Sequence, residues 1–208
     1  MNPVLTLDHV SYSYHTPSGE TPALKDVSFS VRPGSFTSIA GPSGCGKSTL
    51  LSLIAGLIAP EKGCIRFYKS DAMPAAARIG YMLQHDTLLE WRTIYKNILL
   101  GLEVTHQCTE QKKRLAADMM HDYGLASFKN AHPSELSGGM RQRAALIRTL
   151  VLEPDILLLD EPFSALDYQT RLEVSDDIFR IIKEQEKTAL LVTHDISEAI
   201  AMGEQVIV

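Results

Sequence analysis

A glycine-rich segment ends in Lys47 and Ser48, and its residue types suit the binding of an anion. The segment runs Gly41, Pro42, Ser43, Gly44, Cys45, Gly46, Lys47, Ser48 and Thr49, and its first eight residues match G-x-x-x-x-G-K-[ST]. Glycines let backbone N–H groups converge on an anion without a clash at Cβ. The Lys47 ammonium can reach the outer phosphates of a nucleotide, and the Ser48 hydroxyl suits Mg²⁺. We therefore expect a nucleotide phosphate site here.

Two adjacent carboxylates, Asp160 and Glu161, follow the apolar run Ile156–Leu159. Acidic groups at the end of a buried strand are costly unless ions or hydrogen bonds compensate them, which argues against a purely structural role. Asp160 is the candidate ligand of Mg²⁺, and Glu161 is the candidate for orienting or deprotonating an attacking water. His194 follows another apolar run, and the phosphate loop and the carboxylate pair favour a functional role for it over simple packing.

A second anion-receptive helix start lies at Ser137, Gly138 and Gly139. Ser137 stands where a helix N-cap is expected, and the two glycines expose the N–H groups of the first turn. Taken alone, this pattern favours an ordinary capped helix. One chain is expected to bind one nucleotide, yet it has two helix starts that suit a phosphate. The simplest arrangement is a dimer in which the second helix start of each chain completes the nucleotide site of the other chain.

The elements around these residues predict an α/β fold with a largely parallel sheet. Strands are expected over 4–7, 10–14, 27–31 and 36–40, with a loop over 15–22. After the glycine-rich segment, strands alternate with helices, and a helical block from about residue 94 to 132 is inserted between strands, with breaks at Gly101 and Gly124. The expected later elements are helices over 47–58, 138–152, 168–186 and 196–202, and strands over 63–67, 79–83, 156–159, 189–193 and 206–208.

The composition excludes several other classes of protein. A net charge of −5 and a pI near 5.8 argue against a surface built for nucleic acid. The longest apolar runs are far shorter than the roughly 20 residues that span a bilayer, and the first residues do not resemble a signal peptide. Three scattered cysteines and seven scattered histidines predict neither a disulfide framework nor a zinc site, which favours a cytoplasmic setting.

In order and spacing, the motifs of this chain resemble those of the ATP-binding cassette (ABC) proteins. The resemblance extends from Leu5 to Val208 and implies a nucleoside triphosphatase core with a phosphate-binding loop and a mainly parallel sheet, an N-terminal antiparallel β subdomain and an inserted α-helical subdomain. It implies a single ATP-binding domain over 1–208, with the β subdomain at about 1–40 and the helical subdomain at about 90–135. The matching segments are Gly41–Thr49, Gln84, Leu136–Met140, Ile156–Glu161, Ser164–Asp167 and His194.

The resemblance also implies a head-to-tail homodimer that encloses two ATP molecules with Mg²⁺. Each phosphate loop would face the segment Ser137–Gly139 of the other subunit. The implied roles are adenine stacking for Tyr14, with Tyr12 as the alternative, sensing of Mg²⁺ and the γ-phosphate for Gln84, and contact with the γ-phosphate in trans for Ser137 and Gly139. Asp167 would shape the dimer interface, and His194 would hold the γ-phosphate.

The segment Leu88–Ile98 is similar to the Leu-Leu-Pro-Trp-Arg segment of the nitrate, sulfonate and taurine importer ATPases, although Glu90 replaces the usual proline. The resemblance implies an ATPase on the cytoplasmic face of the bacterial plasma membrane, energising import of such a solute or of a pyrimidine-type molecule. A separate permease would be contacted near residues 84–102, Trp91 included, and a solute-binding protein would take part indirectly. The alternatives are an export or lipid-release ATPase, a soluble ABC ATPase, a silent nucleotide-binding module and, for Trp91, simple packing. Against the family, the chain is expected to lack later strands and a C-terminal helix.

Overall fold

The computed structural model of the chain describes residues 2–17, 19–68, 73–74 and 76–208. Its strands are β1 (Leu5–Thr16), β2 (Gly19–Val31), β3 (Phe36–Ala40), β4 (Lys62–Phe67), β5 (Ile79–Met82), β6 (Ile156–Asp160), β7 (Thr188–Thr193) and β8 (Gln205–Ile207). Its helices are α1 (Lys47–Ile54), α2 (Ile94–Val104), α3 (Glu110–Asp122), α4 (Gly138–Leu150), α5 (Tyr168–Glu184) and α6 (Ile196–Met202). The chain divides into two compact units: the first holds residues 1–79, 155–160 and 185–208, and the second holds 80–154 and 161–184.

The first unit contains an antiparallel sheet with the strand order β2-β1-β4. Leu5, Leu7 and Val10 of β1 are buried. The register shifts between Leu7 and Val10, where His9 has a φ of 51°, and the extra residue of this bulge returns Val10 to the buried face. Gly63 of β4 packs against the bulge, since a Cβ atom there would lie 2.3 Å from the Asp8 carbonyl oxygen.

The first unit also contains a parallel sheet, in which β6, β7, β3 and β8 are neighbours in that order. Every residue of β3, β6 and β7 is buried, as expected for parallel strands covered on both faces. Ala40 pairs with Thr193, and Asp160 pairs with Val192. The carboxyl ends of three strands therefore lie at one edge of the sheet, which is where ligands bind in α/β folds.

The second unit is mainly helical, and α4 packs against α2, α3 and α5. Ile94, Ile98 and Leu102 of α2 are fully buried at a spacing of four residues, so one face of this helix lies in the core. The hydroxyl of Thr93 accepts a hydrogen bond from the N–H of Lys96 and caps the start of α2.

The predicted α/β fold is confirmed, with its parallel sheet, its antiparallel β subdomain and its helical insertion. The predicted loop over 15–22 is wrong in extent, because β1 continues to Thr16 and β2 begins at Gly19. The predicted helix break at Gly101 is also wrong, because this glycine lies inside α2. A Cβ atom there would lie 2.9 Å from Leu152 Cδ1, so the missing side chain makes room for packing and does not end the helix. Helix α1 ends at Ile54, whereas the sequence predicts that it ends at residue 58.

Candidate functional site

The glycine-rich loop connects β3 to α1 and has a conformation that its glycines make possible. Gly44 and Gly46 have φ angles of 82° and 100°, in the region that disfavours residues with a Cβ atom. At Gly46 a Cβ atom would also lie 2.4 Å from the Ala23 carbonyl oxygen. Gly46 is the N-cap of α1 and has no side chain that could cap the N–H groups of this helix. The loop therefore presents the positive end of a helix dipole, which suits a phosphate group.

Lys47 is held inside this loop and does not extend into solvent. Its side chain is buried, and Nζ donates hydrogen bonds of 2.8 Å to the carbonyl oxygens of both Gly41 and Pro42. The ammonium charge therefore lies where the loop curves back on itself. A positive charge beside the start of α1 adds to the attraction of this place for an anion.

The side chains of Ser48 and Asp160 meet at the edge of the parallel sheet. Ser48 Oγ donates a hydrogen bond of 3.0 Å to Asp160 Oδ1, which joins the start of α1 to the end of β6. Hydroxyl and carboxylate oxygens are among the ligands that Mg²⁺ prefers. Among the described residues, no cluster of three or more His, Cys, Asp or Glu side chains can hold a metal ion. Ser48 and Asp160 fit Mg²⁺, which is usually held by one or two protein oxygens together with water and phosphate.

Other residues of the first unit that the sequence predicts for the site lie beside the loop. The Tyr14 hydroxyl is 3.0 Å from Thr49 Oγ1, and the Tyr12 ring meets the Tyr14 ring edge-on, with centroids 5.1 Å apart. Tyr14 remains 46% exposed, so part of its ring is available to a ligand. His194 is exposed and follows Thr193, whose carbonyl oxygen accepts a hydrogen bond of 3.3 Å from the Gly41 N–H.

In the second unit, Glu161, Ser164 and Gln84 form a hydrogen-bonded chain. Glu161 has a φ of 46°, and its carbonyl oxygen accepts hydrogen bonds from the N–H of Ser164 at 3.2 Å and from the Ser164 hydroxyl at 2.9 Å. Gln84 Nε2 donates to Ser164 Oγ at 3.3 Å. The sequence indicates Glu161 and Gln84 as separate candidates and no separate role for Ser164, because the contact depends on a turn whose shape the sequence does not reveal.

The predicted second helix start forms as expected. Ser137 Oγ accepts a hydrogen bond from the Met140 N–H and caps α4. At Gly139 a Cβ atom would lie 2.5 Å from Val174 Cγ2, so α4 approaches α5 closely. Residues 137–139 and Asp167 line the same cleft, which has a volume of about 460 Å³. Hydrogen bonds from Thr170 lower the pKa of Asp167, which keeps its carboxylate ionised at the start of α5.

A buried amide, which no sequence motif indicates, organises the turn that carries Trp91. Asn97 is fully buried, and its Oδ1 accepts a hydrogen bond of 2.7 Å from the Leu89 N–H. Its Nδ2 donates to the carbonyl oxygens of Leu89, Arg92 and Thr93 at 3.0, 3.1 and 3.1 Å. Trp91 is 76% exposed on this turn, so the alternative of simple packing in the helical lobe is wrong.

Two arginines of α4 hold the segment that follows Gln84. Arg141 Nε donates to Asp86 Oδ2 at 3.0 Å, and Arg148 donates to the carbonyl oxygens of Asp86 and Thr87 at 2.8 and 2.9 Å. Thr87 has a φ of 49°, so this backbone is in a disfavoured conformation that the Arg148 guanidinium stabilises. Burial lowers the pKa of Arg148 below its usual range, and the Asp86 carboxylate partly opposes this shift.

Some of the predicted site residues therefore belong to the first unit and others to the second. The first unit brings together Tyr14, the loop of residues 41–49, Asp160 and the backbone that precedes His194. The second unit brings Gln84 to the backbone of Glu161, and residues 137–139 to Asp167. Within the described part of the chain, no helix is both long enough and apolar enough to cross a membrane.

Several proteins have sequences similar to this chain. Fifty per cent of 202 aligned residues are identical in the uncharacterized ABC transporter ATP-binding protein YtlC of Bacillus subtilis (strain 168), covering 97% of this chain and 78% of YtlC. The aliphatic sulfonates import ATP-binding protein SsuB 1 of Rhodococcus jostii (strain RHA1) is 44% identical, covering 90% of this chain and 73% of the relative. The nitrate import ATP-binding protein NrtC of Synechococcus elongatus is 41% identical over the whole of this chain, which spans 32% of that protein.

Solved structures share the fold. An ABC transporter in an inward-facing conformation matches with a TM-score of 0.84 at 26% identity, over 99% of this chain and 79% of the other. The ATP-binding cassette MJ0796, a dimer in a post-hydrolysis state with bound ADP and phosphate, matches with a TM-score of 0.79 at 32% identity, over 97% and 92%. Residues 24–164 match the family described as ABC transporter. This chain therefore belongs to the ABC transporter family, as a subunit that binds and hydrolyses ATP.

Proposed function

We propose that this chain is the ATPase subunit of a bacterial importer for a small solute of the nitrate, sulfonate or taurine type, or for a pyrimidine-like organic molecule. The observation that carries the catalytic part is the contact of 3.0 Å between Ser48 Oγ and Asp160 Oδ1, beside the buried ammonium of Lys47. The importer part is supported by the relatives SsuB 1 and NrtC, which are import ATP-binding proteins.

The phosphate end of ATP is assigned to the loop of residues 41–49, with Lys47 as the charge partner of the outer phosphates. Ser48 and Asp160 would hold Mg²⁺, with Gln84 as a further ligand, and the ion would neutralise charge on the phosphate oxygens. Glu161, the residue after Asp160 in the chain, accepts a proton from the attacking water. The water oxygen bonds to the γ-phosphorus while the bond to the β–γ bridging oxygen breaks, which releases ADP and phosphate.

The remaining site residues are assigned to adenine, to the γ-phosphate and to the facing subunit. Tyr14 is assigned to stacking on adenine, since the residue is 46% exposed while its hydroxyl is anchored on Thr49. His194 holds the γ-phosphate. In a head-to-tail homodimer, residues 137–139 contact the nucleotide bound by the other subunit, and Asp167 lies at the interface. The dimeric cassette MJ0796 supports this assembly.

The turn of residues 88–93 is proposed as a contact for the membrane-embedded permease, within a surface spanning residues 84–102. Its exposed Trp91 provides the large apolar side chain that commonly dominates a protein interface. The turn is held by the four hydrogen bonds of Asn97, and Arg92 forms charged hydrogen bonds of 2.7 and 2.9 Å with Glu103. A rigid turn loses little conformational entropy on binding.

We further propose that the chain is a single ATP-binding domain, located on the cytoplasmic face of the inner membrane and attached through the permease. A solute-binding protein outside the membrane would deliver the solute. The domain includes a β subdomain at about residues 1–40 and a helical subdomain at about residues 90–135.

The catalytic part is tested with Glu161→Gln, which keeps the size of the side chain and removes its basicity. We expect ATP turnover to be abolished while an ATP-bound dimer accumulates, as seen by size-exclusion chromatography. Glu184→Gln makes the same change at the exposed end of α5 and should leave turnover unchanged. Normal turnover in Glu161→Gln would overturn the role of Glu161.

The importer part is tested in vesicles that contain this chain together with the permease subunits and solute-binding protein of a sulfonate importer. We expect uptake of labelled taurine that depends on ATP, and a loss of uptake with Trp91→Ala while ATP binding persists. Release of solute in the opposite direction would contradict an importer, and unchanged uptake with Trp91→Ala would contradict the proposed contact.

A further inference from the structure

The turn that follows β6 holds Glu161 in a backbone conformation that its residue type disfavours. Its φ of 46° lies in the left-handed region, where the Cβ atom of an L-residue is crowded. The backbone angles of a residue determine the direction of its Cα–Cβ bond relative to the preceding strand. The conformation of Glu161 therefore controls where its carboxylate points, and something in the turn must stabilise it.

Ser164 supplies that stabilisation with both of its hydrogen-bond donors. Its N–H and its hydroxyl donate to the Glu161 carbonyl oxygen at 3.2 and 2.9 Å. The same hydroxyl oxygen accepts a hydrogen bond of 3.3 Å from Gln84 Nε2. One hydroxyl thus connects the backbone of Glu161 to the side chain of Gln84, the residue proposed above as a further ligand of Mg²⁺.

Packing of the turn depends on its other residues. Phe163 and Leu166 are buried, at 1% and 9% exposure, whereas Ser164 is only half-buried. Replacing the hydroxyl by hydrogen would leave this apolar packing in place. Loss of the hydroxyl should therefore release the backbone of Glu161 without unfolding the turn.

We propose that Ser164 is a positioning residue for ATP hydrolysis, whose hydroxyl fixes the backbone of Glu161 and joins it to Gln84. The proposal rests on the catalytic role of Glu161 proposed above. Ser164 acts through Glu161, so its loss should lower the rate of the chemical step and leave nucleotide binding nearly unchanged.

The test compares steady-state ATP hydrolysis by the purified chain with that of Ser164→Ala and Ser164→Thr. For Ser164→Ala we expect kcat to fall about three- to tenfold, the usual effect of one hydrogen bond, with KM for ATP changed less than about twofold. Ser164→Thr keeps the hydroxyl and should restore most of kcat. Gln84→Ala and Ser164→Ala combined should lower kcat by less than the product of their separate effects, because the two side chains share one contact.

The matched control is Ser175→Ala, which removes a hydrogen bond of the same kind. Ser175 Oγ donates to the Leu172 carbonyl oxygen at 3.0 Å, three residues earlier in the chain, as Ser164 Oγ does for Glu161. This variant should keep the kcat of the unmodified chain.

Unchanged kcat in Ser164→Ala would overturn the proposal, and so would a parallel change in kcat, KM and melting temperature, which would indicate a merely structural role. If Ser164→Ala does not fold, Ser164→Cys has a weaker donor and must lower kcat in the same way. Glu161→Gln separates the two claims: turnover in that variant refutes the role of Glu161 itself. Loss of turnover in Glu161→Gln together with normal kcat in Ser164→Ala refutes only the role of Ser164.

Discussion

Replacing Asn97 by leucine tests whether a buried amide holds the turn that presents Trp91. Asn97 is fully buried, and a leucine of similar size can occupy its place but cannot form hydrogen bonds. The Leu89 and Thr93 carbonyl oxygens retain backbone donors, from the N–H of Arg92 at 3.0 Å and of residue 97 at 2.9 Å. The Leu89 N–H and the Arg92 carbonyl oxygen lose the partner that Asn97 provides.

The expected cost follows from those two groups. An unsatisfied buried donor or acceptor costs about 1–3 kcal/mol, so the loss of partners for two such groups in Asn97→Leu should lower the free energy of unfolding by about 2–6 kcal/mol. The assay is urea unfolding followed by circular dichroism, with a second measurement of Trp91 fluorescence anisotropy in the folded state. Trp91 is the one tryptophan of the chain, so its signal reports on this turn alone, and a loosened turn should lower the anisotropy.

Asn130→Leu provides the matched control, since it makes the same chemical change at an exposed position. It should change the free energy of unfolding by less than about 0.5 kcal/mol and leave the anisotropy of Trp91 unchanged. If Asn97→Leu were no more destabilising than Asn130→Leu, the reasoning that the amide holds the turn would be refuted. If Asn97→Leu destabilised the chain but left the anisotropy unchanged, the link between the amide and Trp91 would be refuted.

Two further predictions concern the phosphate loop and the pH dependence of stability. Gly46→Ala should destabilise the nucleotide-free chain more than Gly44→Ala, because both glycines have positive φ but only at Gly46 would a Cβ atom meet backbone, 2.4 Å from Ala23 O. Equal urea midpoints for the two variants would contradict this. Hydrogen bonds from Arg78 lower the pKa of Asp155, so this pair contributes stability above the unfolded-state pKa, near 3.8, and loses it as pH falls through the lower folded-state value. The melting temperatures of the unmodified chain and of Arg78→Ala should be measured from about pH 2.5 to 7, and below about pH 4 that of Arg78→Ala should depend less on pH. Parallel curves would contradict the contribution of the Arg78–Asp155 pair to stability.

Much of the fold was predictable because the apolar patterns are strong. The runs that become β6 and β7 are continuously apolar, and both strands are fully buried in a parallel sheet. Helix α6 has the predicted bounds, since Asp195 caps its start by accepting from the N–H of Ser197 and Glu198. The wrong prediction inside α2 concerns a glycine, because a glycine can either end a helix or allow close packing within one. The sequence predicts a break at Gly101, but this glycine allows close packing inside α2, and that packing depends on Leu152, about fifty residues away in the chain.

The sequence by itself determined the chemistry that is available to this protein. The loop of residues 41–49, the carboxylates Asp160 and Glu161, and the helix start at Ser137 are local patterns, because a few adjacent residues set their backbone shape and charge. Only the tertiary structure decided which of these groups meet. Ser48 reaches Asp160 across 112 positions of the chain, and Gln84 reaches Ser164 across 80. Such contacts depend on strand order and on the shape of individual turns, which arise from packing between distant segments and leave no local pattern in the sequence.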